Sequence, residues 1–225
     1  MLDVGWLNIG FIALTIFELA YFWWVSGKNN RFLIIASSWL ILQAIVASTG
    51  FYQQTDTMPP RLVLVFIPVI LIILILGLSK KTAGFRNKFD LQRLHYIHII
   101  RIPVEVFFLY GLYQYGLIAR ELTFDGNNWD IISGVSMPLV ALLFWKYRVI
   151  SKKLLVAWNV LCFGILLVTI SQAILSAPFP FQMLSLEQPT VAVFYFPFIW
   201  LPAFVAPLVL LSHLISIKEL IGRDN

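Results

Sequence analysis

The residues best suited to chemistry in this chain lie together at His95-Tyr96-Ile97-His98-Ile99-Ile100-Arg101-Ile102-Pro103-Val104-Glu105. The stretch holds two of the three histidines, an arginine and a carboxylate, and it opens a long apolar segment. At about 100° per residue, His98, Arg101 and Glu105 share one helix face, with His95 at its edge. Arg101 and Glu105 stand i, i+4, a spacing that allows a direct ion pair. Pro103 removes a backbone donor beside them and is expected to kink the helix. Ionisable groups inside a membrane span are costly, so they normally face a bundle interior or an aqueous cavity.

Two chemistries suit these residue types. In the first, Glu18, His98, Arg101, Glu105 and Asn159 form a substrate or proton site. Arg101 serves as anion or counter-ion group, Glu105 and Glu18 carry protons, and His98 relays them. Glu18 has no basic partner within a helical turn of its own segment, so it needs Arg101, a histidine or a proton. In the second, His95 and His98 at i, i+3 join His213 as three zinc ligands. A water would complete the metal, and Glu105 or Glu18 would act as base. His-x-x-His is not a specific signature, and His95 and His213 also suit a plain interfacial role. The plain structural role for Arg101 and Glu105 is a buried pair that fixes helix packing. No catalytic residue is assigned and the cofactor is left open: zinc ranks first and haem below it, because His95 and His98 share one helix. Retinal is disfavoured, because the last apolar segment has no mid-helix lysine; Lys218 is at its end.

The elements that must position these residues are membrane spans. Hydrophobic residues make up 60% of the chain and charged residues 12%, where a soluble protein has about 25% charged. A span needs about 20 mostly apolar residues. Seven stretches qualify: 5–25, 32–52, 61–79, 92–118, 129–146, 154–176 and 190–217. The fourth and seventh are long enough to tilt or kink. Pro197, Pro202 and Pro207 predict a distorted seventh span whose freed carbonyls must be buried or line a cavity. The first stretch lacks a basic leader and a small-residue cleavage motif, so it is read as a span rather than a signal peptide. Lone Cys162 excludes an intrachain disulfide and a cysteine-rich metal site. No glycine-rich phosphate loop and no nucleophile elbow is present.

Basic residues set the orientation. Lys28, Arg31, Lys80, Lys81, Arg86, Lys88, Arg93, Lys146, Arg148, Lys152, Lys153, Lys218 and Arg223 fall on one side, and Asp3, Asp56, Glu121, Asp125, Asp130 and Glu187 on the other. The N-terminus is therefore expected outside and the C-terminus in the cytosol. The net charge of +5 is distributed as a topology signal rather than as a nucleic-acid patch. Trp6 and Trp129 near outer ends, and Trp23, Trp24, Trp145 and Trp158 near inner ends, fit an aromatic belt. Trp39 and Trp200 lie deeper, where packing is the expected role. Asp125-Gly126 and Asn127-Asn128 suit a turn before the fifth span, with Asn128 or Asp130 at the helix start.

On this topology, at 1.5 Å per residue, His98 lies about 10 Å from the cytosolic face, Arg101 about 15 Å and Glu105 about 20 Å. Glu18 lies about 12 Å in, Asn159 about 8 Å and His213 about 6 Å. A cytosolic-half site between spans 1, 4, 6 and 7 follows if those spans are neighbours. An ungapped offset of 129 aligns 43–70 with 172–199, pairing Gln43-Ala44-Ile45 with Gln172-Ala173-Ile174 and Pro60 and Pro68 with Pro189 and Pro197. That is the pattern of a parallel 3+1+3 repeat, which occurs in transporters.

The sequence thus predicts an all-α integral membrane protein, one domain over 1–225, a seven-transmembrane-helix bundle. The function expected first is binding of a small solute, with translocation and proton linkage as its extensions. A metal-dependent enzyme acting on a lipid-like substrate comes second, and a sensor or assembly factor third. Whether the protein is an enzyme is undecided. The expected partners are the lipid bilayer and a small-molecule or proton ligand, with no nucleic acid and with a homo-oligomer compatible. The expected place is the plasma membrane, or the inner membrane of a Gram-negative source, as a multi-pass protein.

Overall fold

The computed structural model describes residues 2–222, so the predicted inner-side charge at Arg223 lies outside the described residues. Among the described residues the regular structure is entirely helical. Helices α1 (Trp6–Val25) and α2 (Asn30–Ser48) form a tight hairpin. Gly27 adopts φ 73°, which lets the chain fold back while Ser26, Gly27 and Lys28 donate to the last carbonyls of α1. Asn29 then caps α2 by accepting from the Phe32 amide.

Helix α3 (Val63–Leu78) has 16 residues, about 24 Å of rise against a hydrocarbon core of about 30 Å. It is followed by the Lys80–Arg86 arm, bent by 74°. Arg86 clamps that bend. Its guanidinium donates to the Leu76 and Ser79 carbonyls, which the end of α3 leaves open, and pairs with Glu219 at 3.2 Å. Although counted as an inner-loop charge in sequence, Arg86 is buried.

Helix α4 (Leu91–Gln114) is not uniform. A 3₁₀ stretch covers Ile97–Ile100 and wide i→i+5 turns cover Val104–Leu109. Pro103 lies between them and cannot donate to the preceding turn, so the expected distortion falls there. Helix α5 begins as Asp130–Ala141, contains Pro138, and runs on through the wide turn Leu142–Lys146. Helix α6 is Lys152–Ser176, capped by Ser151.

The seventh predicted span, 190–217, is corrected at both ends. Residues 190–200 hold only a short 3₁₀ turn at Ala192–Phe194, and the continuous helix α7 runs over Leu201–Gly222. Pro197 and Pro202 interrupt the backbone ladder on the N-terminal side, and that irregular segment is largely buried.

Helices α1, α2, α4, α6 and α7 are long and apolar enough to cross a membrane, and α3 with its bent arm makes a sixth if counted as one span. Helix α7 is the most buried and α4 the next. Helix α7 packs on α3 and α6, α4 on α5, and α1 on α2 and α4. The two central helices carry the three histidines and Arg101.

Trp39 and Trp200 do more than fill space. The Trp39 indole donates to the Ala203 carbonyl at 3.0 Å, and the Trp200 indole to the Leu40 carbonyl at 2.9 Å. The Ala203 carbonyl would ordinarily accept from residue 207, but Pro207 has no N–H. Trp39 supplies the missing donor. Trp39→Phe keeps the ring's bulk and leaves that carbonyl orphaned, so it is expected to cost about 1–3 kcal/mol of stability in a denaturant titration in detergent. A loss below about 0.5 kcal/mol would show that another donor satisfies it.

Candidate functional site

On α6 the buried residues Leu155, Asn159, Cys162 and Leu166 recur at helical spacing and turn one stripe inward. That stripe places Asn159 between the two central helices. Its amide nitrogen meets His95 Nε2 at 2.9 Å, and its Oδ1 meets His213 Nδ1 at 3.0 Å. His213 Nε2 faces the Arg101 guanidinium at 3.1 Å. Arg101 donates to Asp130 Oδ1 at 2.5 Å. The Asp130 amide donates to Asn128 Oδ1, and Asn128 Nδ2 donates to Glu105 Oε2 at 2.6 Å and to the Leu122 carbonyl at 2.9 Å. Thr169 of α6 also donates to Asn128 Oδ1.

Every donor and acceptor in this chain follows from Arg101, which can only donate. His213 Nε2 must then accept, so its proton is on Nδ1 and goes to Asn159 Oδ1. Asn159 Nδ2 donates to His95 Nε2, and His95 Nδ1–H completes the series at the Leu91 carbonyl, 2.6 Å away. The network accommodates neutral imidazoles at both positions. A proton on His213 Nε2 would face a guanidinium N–H.

The structure brings His95, Arg101, Asn159 and His213 into one hydrogen-bonded series, with Glu105 joined through Asn128. It corrects the expected pairing of Arg101 with Glu105. Arg101 pairs with Asp130, and Glu105 takes Asn128. The wide turns that start at Val104 move Glu105 off the angular position an ideal helix predicts. Asp130, read in sequence as an outer-loop charge, is only 4% exposed. Gly134 permits its approach: a Cβ there would lie 3.1 Å from the His98 carbonyl and 3.0 Å from Ile102. Sequence reasoning missed Asn128, Asp130 and Thr169 as site residues. A buried arginine needs a counter-charge, and that requirement was the signal that could have found Asp130.

His98 is fully buried and stacks on His213 with centroids 3.9 Å apart and planes at 19°. Neither of its nitrogens has a hydrogen-bond partner among the described residues. Among the described residues no three His, Cys, Asp or Glu side chains are grouped to hold a metal ion. The three histidines meet as a stack and a hydrogen-bonded series rather than with nitrogens directed at one point. Glu18 stands apart. It is fully buried, neither carboxylate oxygen has a hydrogen-bond partner among the described residues, and the expected contact with Arg101 or a histidine is not made. A bare charge in such surroundings costs several kcal/mol or more.

A cavity of about 320 Å³ adjoins this network between α3, α4, α6 and α7. Its walls are aliphatic, aromatic and proline residues, and only Arg101, Glu105, Asp130, Thr169 and Thr190 add polar side chains. From Arg101 it extends to Leu62, Ile118 and Ala177, away from His95, His98 and Asn159.

Fold and site together define an all-helical protein, with helices able to span a membrane, in which a buried ionisable network borders an apolar cavity. The chain belongs to the DUF8737 family, described as a domain of unknown function, whose model matches residues 58–221. The match covers α3 to α7, and with them the network and the cavity; Glu18 precedes it. No curated protein and no solved structure matches the chain.

Proposed function

We propose that the protein is a single-domain, seven-span membrane protein of the plasma membrane, N-terminus outside and C-terminus cytosolic, that binds and translocates a small amphipathic solute. In this reading α3 with its arm and the short α5 complete the seven spans. The alignment of 43–70 with 172–199 supports a parallel 3+1+3 arrangement. One observation carries the proposal: an apolar cavity ends on buried Arg101, Glu105 and Asp130. Ligand pockets of a few hundred Å³ are mostly apolar, with a few polar groups that orient the ligand.

The roles differ from those expected for a bare arginine. Asp130 neutralises Arg101, so the pair favours an uncharged hydroxyl or carbonyl head over a free anion. Glu105 is the group suited to carry a proton. It lines the cavity, and Asn128 holds its Oε2. On the proposed topology the solute occupies the middle and outer part of the membrane, and the histidines lie on the cytosolic side of it. Glu18 is a second buried acid, separate from the solute.

Solvent extraction of the detergent-purified protein, followed by mass spectrometry, tests this reading. About one neutral amphipathic molecule per chain is expected to accompany the wild type. It is expected to be lost in Ala173→Phe, which fills the cavity from α6. In Glu105→Gln it should fall on the order of tenfold, the loss of about one charge-assisted hydrogen bond. If no such molecule accompanies the wild type, or if filling the cavity leaves its amount unchanged, the reading fails.

A further inference from the structure

A second cavity, about 380 Å³, lies on the other side of α3, between α2, α3 and α7. Its floor is α7, with Ala203, Phe204 and Pro207, and its length follows α2 from Arg31 to Trp39, about 12 Å. Its rim is open to the outside of the bundle: Ile35, Ile72 and Ile75 line it and are 65%, 48% and 54% exposed. Among the described residues, Asn29 and Arg31 are its only polar lining residues. They occupy one end, with Phe85 of the Lys80–Arg86 arm also in the lining.

That end is basic without compensation. Arg31 is exposed, and so are Lys28, next to Asn29 in the chain, and Lys80 and Lys81, on the segment between the lining residues Leu76 and Phe85. None of the four has an ion pair among the described residues. Asp90, which follows the arm, pairs with Arg93, and Glu219 pairs with Arg86 of the arm. A lipid-facing apolar groove that ends in unpaired cations is complementary to one kind of molecule, an acyl chain ending in a phosphate. We infer that this groove is a binding site for an anionic phospholipid, one acyl chain lying between α2 and α3 and the phosphate at Arg31. The site is independent of the solute cavity, although Val69, Ile73 and Pro207 line both.

The test is a titration of the full detergent-purified chain with phosphatidylglycerol and with phosphatidylcholine of the same acyl chains, read by native mass spectrometry. Phosphatidylglycerol is expected to bind on the order of tenfold more tightly. Arg31→Gln is expected to lower its affinity about fivefold, the share of one cation near a lipid surface, and Arg31→Lys to retain it. Ala36→Leu narrows the groove without touching the charges and is expected to weaken both lipids. Ile72→Trp, at the exposed rim, should do the same and guards against misfolding of the first variant. Equal affinity for the two lipids, or a preference that survives Arg31→Gln, overturns the site. So does full binding in both groove variants, because cations acting across a flat surface would ignore them. Ala173→Phe, which removes the proposed solute, is expected to leave this lipid bound, so either proposal can fail without the other.

Discussion

Asp130→Leu is expected to lower the unfolding free energy by about 3–5 kcal/mol. The Arg101–Asp130 pair is buried, with side chains 3% and 5% exposed. Removing one member leaves a guanidinium among apolar helices whose remaining neighbours are a neutral imidazole and the carboxyl of Glu105. Arg101→Met is expected to cost a similar amount by stranding Asp130. The double variant Arg101→Met/Asp130→Leu is expected to lie closer to the wild type than either single variant, because it removes both desolvated charges together. Denaturant titrations of the four proteins in one detergent give the coupling energy, expected to be at least about 2 kcal/mol. Single variants that each cost under about 1 kcal/mol and simply add would show that the pair is solvated, and the buried network would have to be redrawn.

The second large effect is at Asn159. This one side chain donates to His95 and accepts from His213, so Asn159→Leu orphans an acceptor and a donor in a single step. At about 1–3 kcal/mol for each buried orphan, the expected loss is about 2–5 kcal/mol. Asn159→Asp is not expected to rescue it: a carboxylate can still accept from His213 but has nothing to donate to His95. The assigned protons can be read directly. With only three histidines in the chain, ¹⁵N-histidine labelling is expected to show His95 and His213 as neutral rings carrying the proton on Nδ1. In Asn159→Leu the Nδ1 protons should remain, because Arg101 still donates to His213 and Leu91 still accepts from His95, but the signals of both rings should shift. Protons on Nε2 in the wild type would reverse the series and contradict the contact between His213 and Arg101.

Much of this site was readable from spacing. Apolar runs marked where the chain turns back, and ionisable residues inside those runs had to face inward. Arg101 and Asn159 were singled out for a substrate or proton site and His95 and His213 for a zinc site, and these four meet in one hydrogen-bonded series. Prolines predicted irregular backbone in the fourth and seventh stretches, and it occurs at Val104–Leu109 and before Leu201. The aromatic side chain that satisfies the carbonyl left free by Pro207 comes from α2, and nothing in the local sequence of α7 names it.

The amino-acid sequence by itself determined the class of the protein, the approximate positions of the long apolar helices and the set of buried groups that would need partners. The tertiary structure alone decided the partners. A helical wheel places Arg101 and Glu105 on one face, but it assumes even turns, and the wide turns after Pro103 part them. It also says nothing about which neighbour faces that side, so Asp130 passed for a surface charge until Gly134 was seen to let α5 close on α4. The lack of a hydrogen-bond partner for Glu18 among the described residues and the two cavities on either side of α3 have the same origin. Each depends on the distance between elements far apart in the chain, and residue type and periodicity carry no term for that distance.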